Sequence, residues 1–550
     1  MRLREAFAIL LGASASVVRG EGFWDGWQPS LGPAWQWTGL RSSDGGYWLN
    51  ATEEVLGDVQ DLYWNGTSWP STIQWIGAVI NTIVTSAVET FGDALQETNT
   101  DEDVSRFQAD IQKYFTQIEA YYGSEDTIQI FGAAYDDAQW VVLEWLEVIK
   151  LMKNYQPYLG PTTDSSVLAR FAHRAHVFYN IVQNHFDTST CGGGITWNPA
   201  LLPYKNAITN ELFISSSIGM YLYFPGDNDT DPYPAPNYIT QTGKILPELQ
   251  YVTAYDMTFL NNAVQEYQWF KGQNFTNSQG LIVDGFHISA GQTSCDERNE
   301  MVYTYNQGVL LSGLRGLWEA TGDASYLTDG YGYISTAIEA TGWNAENDTT
   351  ANEWAGLGRN GIMEDYCDSH GDCSQDATIF KGVYFHHLSL FCEPLPEQTA
   401  LIPGVTYIAP AELAAQHRSQ CSSYRAWIEH NAHAALSSRD TSYRIGQWWG
   451  ASFFDALVQA ETPRPVTVPL NSTDYRNKPW VLTGSPWTCT DAVSCATYEQ
   501  STPSSDDSIT VHRRNELQDR QANVNVQKTT VETQAQGLAV VDAAAKFLMR

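Results

Sequence analysis

From about residue 70 to 460, apolar side chains recur at three- and four-residue spacing, and alternating strand-type runs are scarce. That pattern predicts a helical protein in which each helix buries one apolar stripe. Helices are expected near 71–95, 102–122, 135–153, 165–187, 205–223, 255–272, 303–321, 324–341, 378–392, 409–437 and 443–460. Segments of similar length with no exact repeat predict an all-α toroid of helical hairpins, an (α/α) barrel with inner and outer rings. A helical solenoid would show a repeat period, and none is visible. In "YNQGVLLSGLRGLWEATGD", Leu310, Leu314, Leu317 and Trp318 form one stripe. Gly308, Gly313 and Gly316 predict close helix contacts there, and Gly322 a helix stop.

The flanks read differently. "MRLREAFAILLGASASVVRGEGF" has a basic start, an apolar segment and small residues before Gly20, the layout of a secretory signal over residues 1–20. The Trp-, Gly- and Pro-rich stretch 21–70 reads as a lead-in packed on the barrel, so the catalytic domain is assigned to 21–460. Residues 461–550 read as a partly disordered extension with a short amphipathic helix at its end. Asp542 and Lys546 interrupt the apolar run, so no lipid-anchor signal is expected. Sequons at Asn50, Asn65, Asn228, Asn274, Asn347 and Asn471 predict glycosylation and agree with export to the extracellular space or cell wall. Eight cysteines in an oxidising compartment predict disulfides, with Cys367/Cys373 and Cys489/Cys495 as local loops. A formal charge of −33 argues against a nucleic-acid partner. No transmembrane span is expected.

The stretch "GAAYDDAQWVVLEWLEVIK" puts Asp136 and Asp137 side by side at the head of a helix that is apolar on nearly every side. Taken alone, such a pair reads as a helix cap. A helix this apolar belongs to an interior ring, however, so its cap would face a cleft. "PYKNAITNELF", "YTYNQGVLL" and "TIFKGVYFHHL" repeat the arrangement, each with polar or aromatic residues ahead of an apolar helix. Parallel inner helices would gather these beginnings on one face. Two carboxyls flanking a bond is the arrangement of glycoside hydrolysis: one ionised, the other holding a proton for the leaving oxygen. Neighbouring residues reach a separation of roughly 5–5.5 Å more readily than roughly 6.5–9.5 Å, which favours retention.

"YDDAQW", "CGGGITW", "YKNAITNELF", "GLIVDGF", "YTYNQGVLLSGLRGLWEATGD" and "FKGVYFHHL" resemble, in that order, fungal members of glycoside hydrolase family 76, endo-α-1,6-mannanases with an (α/α)6 barrel. The likeness covers about residues 50–460. It implies Asp136 as nucleophile and Asp137 as general acid/base. It further implies substrate-binding or cleft roles for Trp197, Lys205, Asn206, Asn210, Asp284, Tyr305, Asn306, Gln307 and Lys381, and for Gly193 and Gly194. No metal or organic cofactor is implied. The expected activity is that of a secreted mannan endo-1,6-α-mannosidase, acting as a monomer on mannan or mannose-containing glycans. The alternatives are a wall transglycosidase using the same residues, a non-catalytic mannan-binding wall protein, or another (α/α)-barrel activity such as a lyase or epimerase. The His386–His387 pair departs from the family pattern.

Overall fold

The computed structural model describes residues 44–97, 101–122, 134–160, 165–233, 248–344, 349–350, 354–369, 371, 373–440, 442–451, 466–468, 498–500 and 529–549. Its long helices are α1 (Asp44–Tyr63), α2 (Gln74–Glu97), α3 (Asp101–Tyr121), α4 (Tyr135–Tyr155), α5 (Ser165–Val182) and α6 (Ala207–Tyr223). They continue as α7 (Met257–Gly272), α8 (Val309–Thr321), α9 (Ser325–Glu339), α10 (Phe380–Phe391), α11 (Ala411–Ser422), α12 (Arg425–Ser437) and α13 (Val531–Met549).

Six of them close a ring: α2 packs on α4, α4 on α6, α6 on α8, α8 on α10, α10 on α13, and α13 back on α2. The intervening helices form an outer layer, with α3 on α2, α5 on α4, α7 on α6, α9 on α8, α12 and α1 on α13. This is the inner-and-outer arrangement that the helical periodicity predicts. The inner helices are the more apolar ones: every residue from Ala207 to Leu222 is buried in α6. The Gly-rich helix behaves as its spacing predicts. A Cβ on Gly313 would stand 2.8 Å from Ile214 of α6, and one on Gly308 would stand 2.6 Å from the Tyr384 backbone of α10. Gly322 ends α8 in the left-handed conformation, φ 73°.

The largest correction concerns the C-terminus. Residues 531–549, assigned from the sequence to an extension, form the sixth inner helix. Asp542, which seemed to interrupt an apolar tail, accepts hydrogen bonds from Ser86 (2.9 Å) and Thr90 (2.5 Å) of α2. Gln534 Oε1 accepts from the Ile445 amide at 2.9 Å. The expected amphipathic helix is therefore present, but its polar residues are buried in the ring instead of facing water. The other end corrects similarly: part of the lead-in is α1, an outer helix packed on α13. The expected helix 443–460 is turns over 443–450, and 452–460 lie outside the described residues. The expected helix 409–437 breaks at Ser423–Tyr424 into α11 and α12. The signal segment 1–20 and Cys489/Cys495 lie outside the described residues.

Disulfides join Cys191 to Cys295, Cys367 to Cys373 and Cys392 to Cys421, so the expected local loop at 367–373 is present. Among the described residues no helix is long and apolar enough to cross a membrane.

The acid excess is partly folded inward. Burial pushes the carboxyls of Glu53, Asp58 and Asp365 up to about 7, although Arg106, Arg439 and Lys381 respectively oppose it. A carboxyl raised in the folded state binds more protons there than in the unfolded chain between the two pKa values. Its stabilising contribution is therefore complete below about pH 4 and is lost as pH rises through about 7. Asp187 and Asp227, held below the usual carboxylate range by hydrogen bonds, work the other way on the acid side. The thermal midpoint is expected to fall between mildly acidic pH and pH 8. Scanning calorimetry across that range checks it; a midpoint that rises contradicts it.

Candidate active site

The N-terminal ends of the inner helices meet at one lip. Trp75 of α2 stacks on Trp140 of α4 at 5.5 Å, and its Nε1 donates to Asp376, just ahead of α10. Tyr305, in the turn before α8, stacks on Phe380 of α10 at 3.9 Å. A three-stranded antiparallel sheet forms part of this lip, with β1 (Tyr204–Asn206) paired to β2 (Val283–His287) and β2 to β3 (Glu297–Val302).

Asp136 and Asp137 sit half-buried in the first turn of α4. The helix is capped at Ala134 with no side-chain hydrogen bond, so neither carboxyl serves as its N-cap. Trp197 holds this helix start twice. Its backbone carbonyl accepts from the Tyr135 amide at 2.8 Å, and its Nε1 donates to Asp136 Oδ2 at 3.1 Å. The Trp197 amide in turn donates to the Tyr204 carbonyl at 2.8 Å, which fixes the indole to β1. Burial and the neighbouring Asp137 charge hold Asp136 well above the usual carboxylate range. The hydrogen bonds from Trp197 and from the Asp137 amide (3.2 Å to Oδ1) pull the other way. Two like charges in one desolvated turn thus keep a proton between them to higher pH than either acid would alone.

A third carboxyl completes the cluster. Asp284 Oδ2 accepts from the Tyr204 hydroxyl at 2.5 Å and from Asn299 Nδ2 at 2.9 Å, and Asn299 also reaches the Tyr204 oxygen at 3.0 Å. His287 stacks on the Tyr204 ring at 4.1 Å. Burial, with the charges of Asp284 and Asp136, raises the Tyr305 phenol well above its ordinary range, so Tyr305 feels both acids. Of the residues singled out in the sequence, Asp136, Asp137, Trp197, Asp284 and Tyr305 therefore share one lip. Tyr204 and Asn299 were not singled out. Tyr204 lies within the "PYKN" stretch, whereas nothing around Asn299 in "DERNEMV" signals it.

The remaining expected binding residues are buried in the scaffold. Lys205 Nζ donates to the Gly194 carbonyl at 2.6 Å, and burial lowers its pKa. Gly194, at φ 77°, leaves no room for a Cβ, which would meet the Trp269 ring at 2.3 Å. Asn210 bonds both backbone groups of Ile195 (2.6 and 3.1 Å) and the Asn206 carbonyl (2.6 Å). Gln307 treats Ile282 the same way, at 2.8 Å to each group. Lys381 Nζ pairs with Asp368 at 2.5 Å and meets the Gln447 carbonyl at 3.1 Å, with both charges fully buried. These four hold the loops that carry the lip. Asn206 Oδ1 and both amide atoms of Asn306 are buried without a hydrogen-bond partner.

Among the described residues, the one His/Cys/Asp/Glu group close enough to share a metal is Cys367, Asp368 and Cys373. Its two thiols form a disulfide, so it cannot serve as a thiolate site. Of the sequons, Asn65, Asn228 and Asn274 are exposed and Asn50 is half-buried. Asn347 and Asn471 lie outside the described residues.

A closed ring of helices with an acid pair at one lip is a helical barrel with a candidate active site. A family model described as glycosyl hydrolase family 76 matches residues 247–468. The chain is similar to that family over this stretch. The matched stretch holds Asp284, Tyr305, Asn306, Gln307 and Lys381, while Asp136 and Asp137 precede it. The chain is similar to mannan endo-1,6-alpha-mannosidase DFG5 of Saccharomyces cerevisiae, 25% identical over 38% of this chain and 37% of that protein. It is also similar to a putative mannan endo-1,6-alpha-mannosidase of Schizosaccharomyces pombe, 23% identical over 43% of each. The aligned stretches thus span about two fifths of these relatives. Among solved structures, an inactive variant of an alpha-1,6-mannanase of Salegentibacter sp. with alpha-1,6-mannotriose is 14% identical, covering 91% of this chain and 99% of that one at a TM-score of 0.49. Dfg5 of Chaetomium thermophilum with glucosamine is 12% identical, covering 94% and 92% at 0.48.

Proposed function

We propose that this protein is a secreted or wall-retained glycoside hydrolase that cleaves α-1,6-linked mannan within the chain. The observation that carries the reading is the placement of Asp136 and Asp137: half-buried, released from capping, mutually repelling, and braced by Trp197. In this mechanism Asp136 attacks the anomeric carbon. Burial and the Asp137 charge raise Asp136, and the donors on it, Trp197 Nε1 and the Asp137 amide, oppose them, so the attack requires the proton of the pair to rest on Asp137. Asp137 protonates the departing oxygen and then takes a proton from the water that releases the sugar. Asp284, tied to Tyr204 and Asn299, and the half-buried Trp197 orient the sugar. The similarity to mannan endo-1,6-alpha-mannosidases supports the substrate class.

The same covalent step would serve a wall transglycosidase, with a sugar hydroxyl replacing water. Incubation with debranched α-1,6-mannan, with and without an added mannotriose acceptor, separates the two. Hydrolysis predicts a falling chain length and reducing ends in step with cleavage, unchanged by acceptor. Lengthened acceptor without net reducing ends would overturn the hydrolytic reading, and an unchanged polymer would overturn both.

A further inference from the structure

The aromatic pair at the lip is held from behind by one tight turn. Tyr305 is half-buried and stacks on Phe380 at 3.9 Å, with the two rings 8° from parallel. The rings belong to different segments, one to the turn before α8 and the other to the first position of α10. Their register therefore depends on what ties those segments together.

The tie is the turn from Asp365 to Asp368. The Asp368 amide donates to the Asp365 carbonyl at 2.9 Å, and the Asp365 amide donates to Asp368 Oδ2 at 3.1 Å. Its two carboxyls serve the two halves of the stack. Asp365 accepts from the Thr304 amide at 2.9 Å and from the Thr304 hydroxyl at 2.7 Å, and Thr304 directly precedes Tyr305. The Thr304 carbonyl accepts from the Gln307 amide at 3.1 Å, which closes the turn around Tyr305. Asp368 accepts from Lys381 Nζ at 2.5 Å, and Lys381 directly follows Phe380. Gln447 Nε2 donates to the other oxygen of Asp368, and the Cys367–Cys373 disulfide closes the loop that carries it.

Thr304, Asp368 and Lys381 are fully buried and Asp365 is 1% exposed, so none of them reaches a substrate. Stability alone does not call for two carboxyls and an ammonium at this depth, where well-packed apolar residues often serve as well. What the polar set adds is direction, since each bond fixes the residue next to one ring.

We infer that Asp365 and Asp368 are positioning residues of the reaction, which together hold Tyr305 and Phe380 in register at the lip that carries Asp136 and Asp284. The kinetic consequence rests on the proposed function; the geometry does not.

Steady-state kinetics of the full chain on α-1,6-mannan tests this. Asp365→Ala removes both bonds to Thr304 and should lower kcat/KM about tenfold to a hundredfold, through kcat more than KM. Asp365→Asn keeps an oxygen for the Thr304 amide and offers an N–H to its hydroxyl, so it should restore most of the rate. Thr304→Val loses only the hydroxyl bond and should cost about threefold to tenfold, whereas Thr304→Ser should match the unaltered chain. In a Tyr305→Ala background the Thr304→Val loss should vanish, because the bond then positions no ring. A Thr304→Val loss of equal size with and without the Tyr305 ring overturns the inference, as does an unchanged kcat in a folded Asp365→Ala.

A crystal structure reads the ring without activity. Tyr305 should be displaced from Phe380, or split over two positions, in Thr304→Val and in place in Thr304→Ser; a single undisplaced ring in Thr304→Val overturns the inference. If the unaltered chain cleaves no mannan, the proposed function fails and the ring position still decides the positioning. If Asp365→Ala does not fold, the Thr304 variants decide.

Discussion

Asp136→Asn is expected to lower α-1,6-mannan hydrolysis by at least about 10²–10⁴-fold while leaving the fold intact. The carboxamide keeps the shape of the side chain and an oxygen to accept from Trp197 Nε1, so the brace on α4 survives. What is lost is the negative charge that attacks the sugar. Asp137→Asn should differ in kind. It removes the second-largest influence raising Asp136 and leaves burial as the main one, so Asp136 ionises more readily, but the leaving oxygen loses its proton donor. A mannoside with an aryl leaving group, which departs without protonation, should therefore retain much more of its rate than mannan does in that variant. Initial rates on both substrates, with circular dichroism as the folding control, check the pair. If the two acids were only a polar helix start, Asn would be nearly neutral there. A folded Asp136→Asn within tenfold of the unaltered chain would remove the catalytic assignment.

Ending the chain after Lys528 is expected to abolish cooperative folding. Val531, Leu538, Val540 and Val541 are fully buried in the ring. At about 1.5–3 kcal/mol per fully buried side chain, these four together contribute about 6–12 kcal/mol, comparable with the net stability of a typical domain. Truncation would also strand Ser86 and Thr90 without Asp542, and open the α10 and α2 faces to water. Scanning calorimetry of the shortened chain is the measurement. A single transition at the original temperature would mean that the C-terminal helix is dispensable, as an extension should be.

The sequence disclosed the helices whose burial is one-sided or nearly complete, such as α4 and α8, because their periodicity is uninterrupted. It showed α13 as an amphipathic helix but not its place in the ring, because Gln534, Gln536, Asp542 and Lys546, polar in sequence, are buried against polar partners on neighbouring segments. At the candidate site, Asp136 and Tyr305 were legible as residues placed ahead of apolar helices, and Trp197 only through the family resemblance. Lys205, Asn210, Gln307 and Lys381 were singled out alongside them and are bonded within the scaffold. Side chains at a helix beginning either face the cleft or turn back to hold the loop before it, and spacing does not distinguish these. Asn299 escaped notice because it reaches Asp284 only through strand pairing, a contact between segments 15 residues apart in sequence.

The configuration of the first sugar released from debranched α-1,6-mannan, followed by proton NMR before mutarotation, tests the paired-acid account most directly. Adjacent carboxyls acting as nucleophile and acid/base require a double displacement, so the reducing end should appear first as the α-anomer. Release of the β-anomer first would mean that water attacks directly, from a base placed farther away than Asp136 and Asp137 allow, and would contradict the account.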